Sequence, residues 1–239
     1  MPMGGLGSRF TDKGYATPKP LIPVDGKPMF IKALDSFSTI KNPSYIFVVR
    51  KEHIEKYSID KQIKEHLPAA KIITLDHDTR GAVETCLVAK DLIDDSIPLV
   101  IADCDIYFES SEYFKKIEQN EVDGLLLTFN SSDPRYSYVE LNNQGYAIRT
   151  AEKIVISDNA ILGGYFFKTG RLFKEVAQEF VDNTLPKELK EYFVSHLFNM
   201  LIDKAHIVET AKVDTVHIFG TPEELEAYSN RSGDKNEDN

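Results

Sequence analysis

The sequence predicts an α/β fold: a mixed, mostly parallel sheet flanked by helices, with antiparallel additions in the second half. Three observations predict it. Short apolar runs at residues 45–49, 71–75 and 98–102 alternate with stretches of helical periodicity, the pattern of βαβ units. A glycine-rich stretch near the start offers the tight turn such folds carry at the end of a strand. After residue 123, strand-like runs follow one another too closely for helical crossovers, so they read as antiparallel.

In chain order, residues 28–40 read as a helix, with Met29, Phe30, Ala33, Leu34 and Phe37 at helical spacing and Pro28 in the first turn. Residues 45–49 read as a buried strand. Residues 52–67 make a charged surface helix that ends near Pro68. The strand 71–75, a helix over 81–92 and the strand 98–102 follow. Strands are predicted over 124–129, 138–141, 146–151 and 160–168, the middle two joined by the turn Asn142-Asn143-Gln144-Gly145. Helices over 172–181 and 187–202, a strand over 207–213 and a short helix over 222–228 complete the fold. Residues 229–239 are polar and charged and read as a disordered tail. Residues 1–228 are therefore expected to form one domain, in two halves that meet at residue 123.

Composition narrows the function. The chain has 239 residues, of which 42% are hydrophobic, enough for one full core. The 28 Lys and Arg against 38 Asp and Glu give a net charge of −10, and no basic stripe marks a nucleic-acid binder. If the substrate is anionic, the cations must be concentrated in the site. Two cysteines, Cys86 and Cys104, form no disulfide framework and suit a reducing cytoplasm. No signal peptide and no apolar run long enough to span a bilayer is visible.

Chemistry concentrates first at GGLGSRFTDKGYATPKP, residues 4–20. Gly4, Gly5 and Gly7 let the backbone turn sharply and approach a ligand. Ser8 and Arg9 follow, and Arg9 presents a planar fork of donors suited to phosphate oxygens. Lys19 stands between Pro18 and Pro20 on a stiffened segment. Glycines, then an arginine, then a braced lysine make a cradle for a polyphosphate. A second cluster, Asp103-Cys104-Asp105, ends the apolar run 99–102, where open α/β sheets gather ligands. Two carboxylates there suit Mg²⁺ carrying phosphates.

The joint pattern of glycines, Arg9, Phe10 and Pro18-Lys19-Pro20 resembles the N-terminal signature of the sugar-phosphate nucleotidyltransferases, the nucleoside-diphosphate-sugar pyrophosphorylases. The likeness extends to about Leu225 and implies a Rossmann-like sheet. It also implies a nucleoside triphosphate wrapped by the glycine loop, with Arg9 and Lys19 neutralising its phosphates. In the same light, Asp105 resembles the principal metal ligand, and Asp103 a second ligand or a ribose contact. Gly81, in Asp78-Thr79-Arg80-Gly81-Ala82, resembles the family's base-contacting turn, with Ala82 where threonine is usual. Glu152-Lys153 resembles the element that grips the sugar phosphate, with Ile154 in place of its proline. Gly163, Gly164 and Tyr165 would shape the sugar pocket. Gly220-Thr221-Pro222-Glu223-Glu224-Leu225 resembles the family's closing motif, in which Thr221 caps a helix and Pro222 opens it. The family's second metal aspartate falls nearest Asp214. The family's apolar strand before the glycine loop is reduced here to Met1-Pro2-Met3, through a late start or an abbreviated strand.

The resemblance implies attack by a phosphate oxygen of a sugar 1-phosphate on the α-phosphorus of the triphosphate. Pyrophosphate leaves and a nucleotide-activated sugar forms, in a soluble enzyme of surface-polysaccharide precursor synthesis. Three alternatives stay open: a cytidylyltransferase acting on a non-sugar phosphate such as phosphocholine, a non-catalytic nucleotide or sugar binder, and a glycosyltransferase, since Asp-x-Asp occurs there too. A homo-oligomer is also left open.

Overall fold

The computed structural model describes residues 1–184 and 189–233. The chain runs β1 (Pro2–Met3), α1 (Ser8–Thr11), β2 (Pro23–Val24), β3 (Lys27–Pro28), α2 (Met29–Asp35), β4 (Ile46–Arg50), α3 (Lys51–Tyr57) and α4 (Ile59–His66). It continues through β5 (Lys71–Leu75), α5 (Ala82–Val88), β6 (Leu99–Ala102), β7 (Ile106–Glu109), α6 (Ser111–Gln119), β8 (Gly124–Asn130), β9 (Ser137–Leu141) and β10 (Ala147–Glu152). Last come β11 (Asn159–Phe167), α7 (Gly170–Asn183), α8 (Ser195–Asp203), β12 (Val208–Lys212), β13 (Thr215–Ile218) and α9 (Pro222–Gly233).

Parallel pairing is concentrated in the first half, as the βαβ alternation requires. There β1, β4 and β5 lie side by side in parallel. The second half is organised by β11, which pairs antiparallel with β8 along one edge and with β6 and β9 along the other. β10 extends β9 antiparallel, and β12 closes the far edge parallel to β8. A separate two-stranded ribbon joins β7 to β13.

The side chains of β8 and β11 alternate between two cores, as strand geometry dictates. Leu126, Tyr165 and Phe167 face the helices α5, α7 and α8, where Val83, Phe173 and Phe198 are buried. Leu125, Leu127 and Phe166 face Phe108 and Tyr113 on the opposite side. Each such buried side chain contributes about 1.5–3 kcal/mol through loss of apolar surface to water. β1 is two residues long, yet Pro2 and Met3 lie in parallel register with Val48 and Val49, and Met1 packs against the cores of both halves. The abbreviated strand thus holds the glycine loop at the carboxyl end of the parallel sheet.

Several elements depart from the sequence expectations, each for a visible reason. The helix expected over 28–40 is α-helical only over Met29–Asp35, with Pro28 just ahead of it in β3. The helix expected over 52–67 is two helices, because Ser58 takes a left-handed φ of 51°. The 81–92 helix ends at Val88 and tightens into a 3₁₀ turn at Lys90–Leu92. The helix expected over 187–202 begins only at Ser195; its first two residues lie outside the described residues, and 189–194 follow another path. Of the expected disordered tail 229–239, residues 229–233 continue α9, and 234–239 lie outside the described residues. The β7–β13 ribbon and α6, which begins at the Ser110 cap, had no counterpart in the sequence reading.

Candidate active site

The glycine loop is anchored by Phe10. Its ring is fully buried among Ile22, Val24, Met29, Phe219 and Leu225, and meets Tyr15 edge to face. That burial leaves the flanking Ser8 and Arg9 exposed. Gly7 has a φ of 64°, a conformation glycine adopts without steric cost. The loop then folds back on Lys19, since a Cβ at Gly7 would stand 3.3 Å from that of Lys19. Gly4 touches the sheet so closely that a Cβ would lie 2.9 Å from Leu75. Arg50, at the end of β4, donates to the Gly4 carbonyl at 2.9 Å and pairs with Asp78 at 2.9 Å, tying the loop to residues 76–80. The sequence reading missed Arg50, although a cation at a strand's carboxyl end was the signal.

Lys19 opens the 3₁₀ turn Lys19–Leu21, held between Pro18 and Pro20, and its ammonium donates directly to Asp105 Oδ2. The two side chains are only 21% and 17% exposed, so water screens the pair little. Burial lowers the lysine pKa, but Asp105, Cys104 and Asp103 outweigh it and the net shift is upward. Asp103 lies against Gly163 of β11, where a Cβ would come within 2.1 Å of its carboxylate. Its amide donates to the Gly163 carbonyl at 3.0 Å. Burial and the neighbouring Asp105 push the Asp103 carboxyl up to about 7, against the pull of Lys19. Cys104 turns away into the core of the first sheet, and burial pushes its thiol up to about 12.

In the second half of the chain, Glu152 ends β10 with its side chain 14% exposed. It accepts from Ser137 Oγ, and from Ser195 Oγ at 3.2 Å. Lys153 follows in a left-handed conformation, φ 56°, which turns its side chain out of the strand. Its ammonium stands 4.6 Å from the centre of the Phe193 ring and 4.0 Å from Glu152. Tyr165 shares the Gly163 face of β11. Burial, with Asp103, Glu152 and Asp105 nearby, raises its hydroxyl well above the ordinary range.

Residues 191–193 bridge the two sides. Tyr192 donates its amide to the Arg80 carbonyl at 2.7 Å and accepts from Val83 at 3.0 Å. Its hydroxyl accepts from Arg80 at 3.1 Å and donates to Thr184 at 2.8 Å. These bonds replace helical ones, which is why α8 starts late. Glu191 reaches back over Gly81, and its carboxyl is raised by burial, against Lys153 and Arg9 and with Glu152. Glu191, Phe193 and Ser195 were not singled out from the sequence. Nothing local marks them, since long-range backbone bonds put them in place.

Two expected site residues face elsewhere, and a third has a different task. Gly164 packs towards Leu127, Phe108 and Tyr113 in the opposite core, and its carbonyl accepts from Tyr113; strand alternation gives the site face to Gly163. Asp214 accepts from the Ser111 amide and hydroxyl at the start of α6. Its own amide bonds to Glu109, whereas Phe219 is the residue that bonds to Asp105. The span from Asp105 to Glu109 is about 13 Å at about 3.3 Å per residue, so Asp214 is not in the cluster. Gly81 has a φ of 144°, and a Cβ there would meet the Tyr192 backbone at 2.6 Å. Chain packing therefore already demands the glycine. Gly5 borders open space, with nothing within 4 Å of a Cβ. Among the described residues, no group of three or more His, Cys, Asp or Glu is arranged to hold a metal, and no helix is long and apolar enough to cross a membrane.

A cavity of about 760 Å³ opens along α7, lined in part by Lys90, Glu175, Glu179, Lys174, Lys204 and His206. It shares no residue with this cluster, and Lys174 and Lys204 are already paired with Asp95 and Glu179.

No curated protein matches the chain. Among solved structures, the nucleoside-diphosphate-sugar pyrophosphorylase from Vibrio cholerae RC9 is similar at 25% identity and a TM-score of 0.83, over 95% of this chain and 99% of that one. An inositol-1-phosphate CTP transferase from T. maritima shares the fold at 15% identity and a TM-score of 0.77, over 95% and 91%. A UDP-glucose pyrophosphorylase complexed with UDP-glucose shares it at 17% identity and a TM-score of 0.73, over 98% and 97%. The family model described as nucleotidyl transferase matches residues 3–216, a span that holds the glycine loop, Lys19, the Asp103–Asp105 tip and Lys153, and the chain belongs to that family.

Proposed function

We propose that this nucleotidyl transferase joins a nucleoside triphosphate to a sugar 1-phosphate, releasing pyrophosphate and a nucleotide-activated sugar. The observation that carries the reading is the convergence of Lys19 on Asp105 beneath the glycine loop. A phosphate oxygen of the acceptor forms a bond to the α-phosphorus, and the bond to the β-phosphate oxygen breaks. The electron pair leaves with pyrophosphate, so no covalent enzyme intermediate is required. The glycine loop cradles the triphosphate, and Arg9 and Lys19 neutralise charge that grows on the leaving group. Lys153 holds the acceptor phosphate, while Glu152, fixed by Ser137 and Ser195, accepts from acceptor hydroxyls. Catalysis is alignment and charge neutralisation.

Magnesium fits the donor set. Asp105 already holds a cation in the Lys19 ammonium, and Asp103 stands beside it. Mg²⁺ keeps several waters and needs only one or two carboxylates when a nucleotide supplies the rest. Bound there, it would screen the phosphates from one another and from the incoming acceptor.

The likeness to an inositol-1-phosphate CTP transferase favours a second acceptor class, a non-sugar phosphate. One experiment tests both readings. The purified protein is given each nucleoside triphosphate with a panel of sugar 1-phosphates and non-sugar phosphates, and pyrophosphate release is followed. Turnover with a sugar 1-phosphate is expected. Turnover only with a non-sugar phosphate would move the enzyme to the second class, and binding without turnover would overturn the reading.

A further inference from the structure

We propose that Phe193 is a positioning residue for Lys153, setting where the acceptor phosphate is held. The inference rests on the proposed role of Lys153 as the acceptor's cation. Lys153 is 53% exposed and sits on a left-handed residue at the end of β10, where a long side chain has many rotamers. Glu191 is near enough for its carboxyl to feel the Lys153 charge, and two further groups approach the ammonium more directly. Glu152 lies 4.0 Å away and would neutralise it, while the Phe193 ring face lies 4.6 Å from it. A ring quadrupole attracts an ammonium without neutralising it, so Lys153 keeps its charge for a phosphate. Glu152 is held back by its bonds to Ser137 and Ser195.

Phe193 is itself held from the nucleotide side. It follows Tyr192, whose backbone bonds to Arg80 and Val83 and whose hydroxyl bonds to Arg80. On its other side it meets His196 of α8 at 6.0 Å between ring centres. One short segment therefore carries the order of the turn at Gly81 to the acceptor lysine. It gives the enzyme a fixed spacing between the two phosphates that must meet.

The test compares Phe193→Leu, Phe193→Tyr and Lys153→Ala in steady-state pyrophosphate release, with thermal melting as a check on folding. Phe193→Leu is expected to raise the acceptor KM by about 3- to 30-fold, the range a cation–π contact spans, with the triphosphate KM and the melting temperature little changed. Phe193→Tyr, which keeps the ring, is expected to restore the acceptor KM. Lys153→Ala is expected to raise it at least as much as Phe193→Leu. If Lys153→Ala raises the acceptor KM while Phe193→Leu does not, the positioning role is overturned and the function stands. If Lys153→Ala leaves the acceptor KM unchanged, both the role and the acceptor reading behind it fail. If Phe193→Leu raises both KM values together and tyrosine does not restore them, Phe193 is only a packing residue.

Discussion

Lys19 and Asp105 are 86 residues apart in the chain, yet the fold sets one charge directly on the other, shielded from water. In the proposed reaction this pair sets a cation where leaving-group charge would develop. Lys19→Ala is predicted to lower kcat for pyrophosphate release by about 10²–10³-fold, the loss typical of one transition-state donor. The melting temperature should also fall, since an unpaired Asp105 is left beside Asp103. Gly163 makes the complementary case. Gly163→Ala would force a methyl into the Asp103 carboxylate. It is predicted to cost about 1–3 kcal/mol of stability, by urea unfolding, and to lower turnover about tenfold or more. Much of this was legible in the chain, because Gly7, Arg9 and Lys19 belong to one local motif and Asp105 ends an apolar strand. Gly163 and Gly164 are adjacent in the sequence, and counting alternate residues from Tyr165 separates them. Asp214 could not be placed that way, because its position depends on the β7–β13 ribbon.

At the scale of elements, the glycine loop is anchored by Phe10 as well as by its own hydrogen bonds. The ring ties α1 to α2, to Phe219 and to Leu225 of α9, so the first and last motifs of the chain share one small core. Phe10→Ala is predicted to cost about 3–5 kcal/mol, measured by urea unfolding, and to raise the triphosphate KM as the loop loosens. The segment before α8 shows why helical periodicity misleads here. Residues 189–194 continue the apolar spacing of α8, but Tyr192 gains bonds to Arg80 and Val83 that a helix would forbid. Nothing in a local window reveals partners more than a hundred residues away.

For the whole molecule, an excess of acidic residues coexists with cations gathered at the glycine loop: Arg9 belongs to the loop, Lys19 packs against Gly7, and Arg50 bonds to the Gly4 carbonyl. The alternation of strands and helices made the architecture readable, while the short β1 hid how the parallel sheet begins. Global stability carries its own pH signature. His53 and His196 are held below 6.5, His53 by burial and then Arg50, His196 by burial, and each has an unpaired buried Nδ1. The unfolded chain therefore takes up protons near pH 6.5 that the folded one resists. Stability is unaffected by these groups above that pH and falls as pH drops from about 6.5 towards their lowered values. Asp103, raised to about 7, acts in the opposite sense over the same range, so the histidine contribution is read as a difference: between pH 6.5 and 5 the urea midpoint of His53→Leu should fall less, or rise more, than that of the unmodified protein.

In the proposed reaction one triphosphate lies between the glycine loop with Lys19 and the Asp103–Asp105 tip, with its α-phosphorus open towards Lys153. A crystal structure of the protein with Mg²⁺ and a non-hydrolysable nucleoside triphosphate tests it most directly. Phosphate oxygens are expected within hydrogen-bond distance of Lys19, the metal on Asp105, and a clear path from the α-phosphorus to Lys153. A triphosphate bound elsewhere, with Lys19 still resting on Asp105, would contradict it.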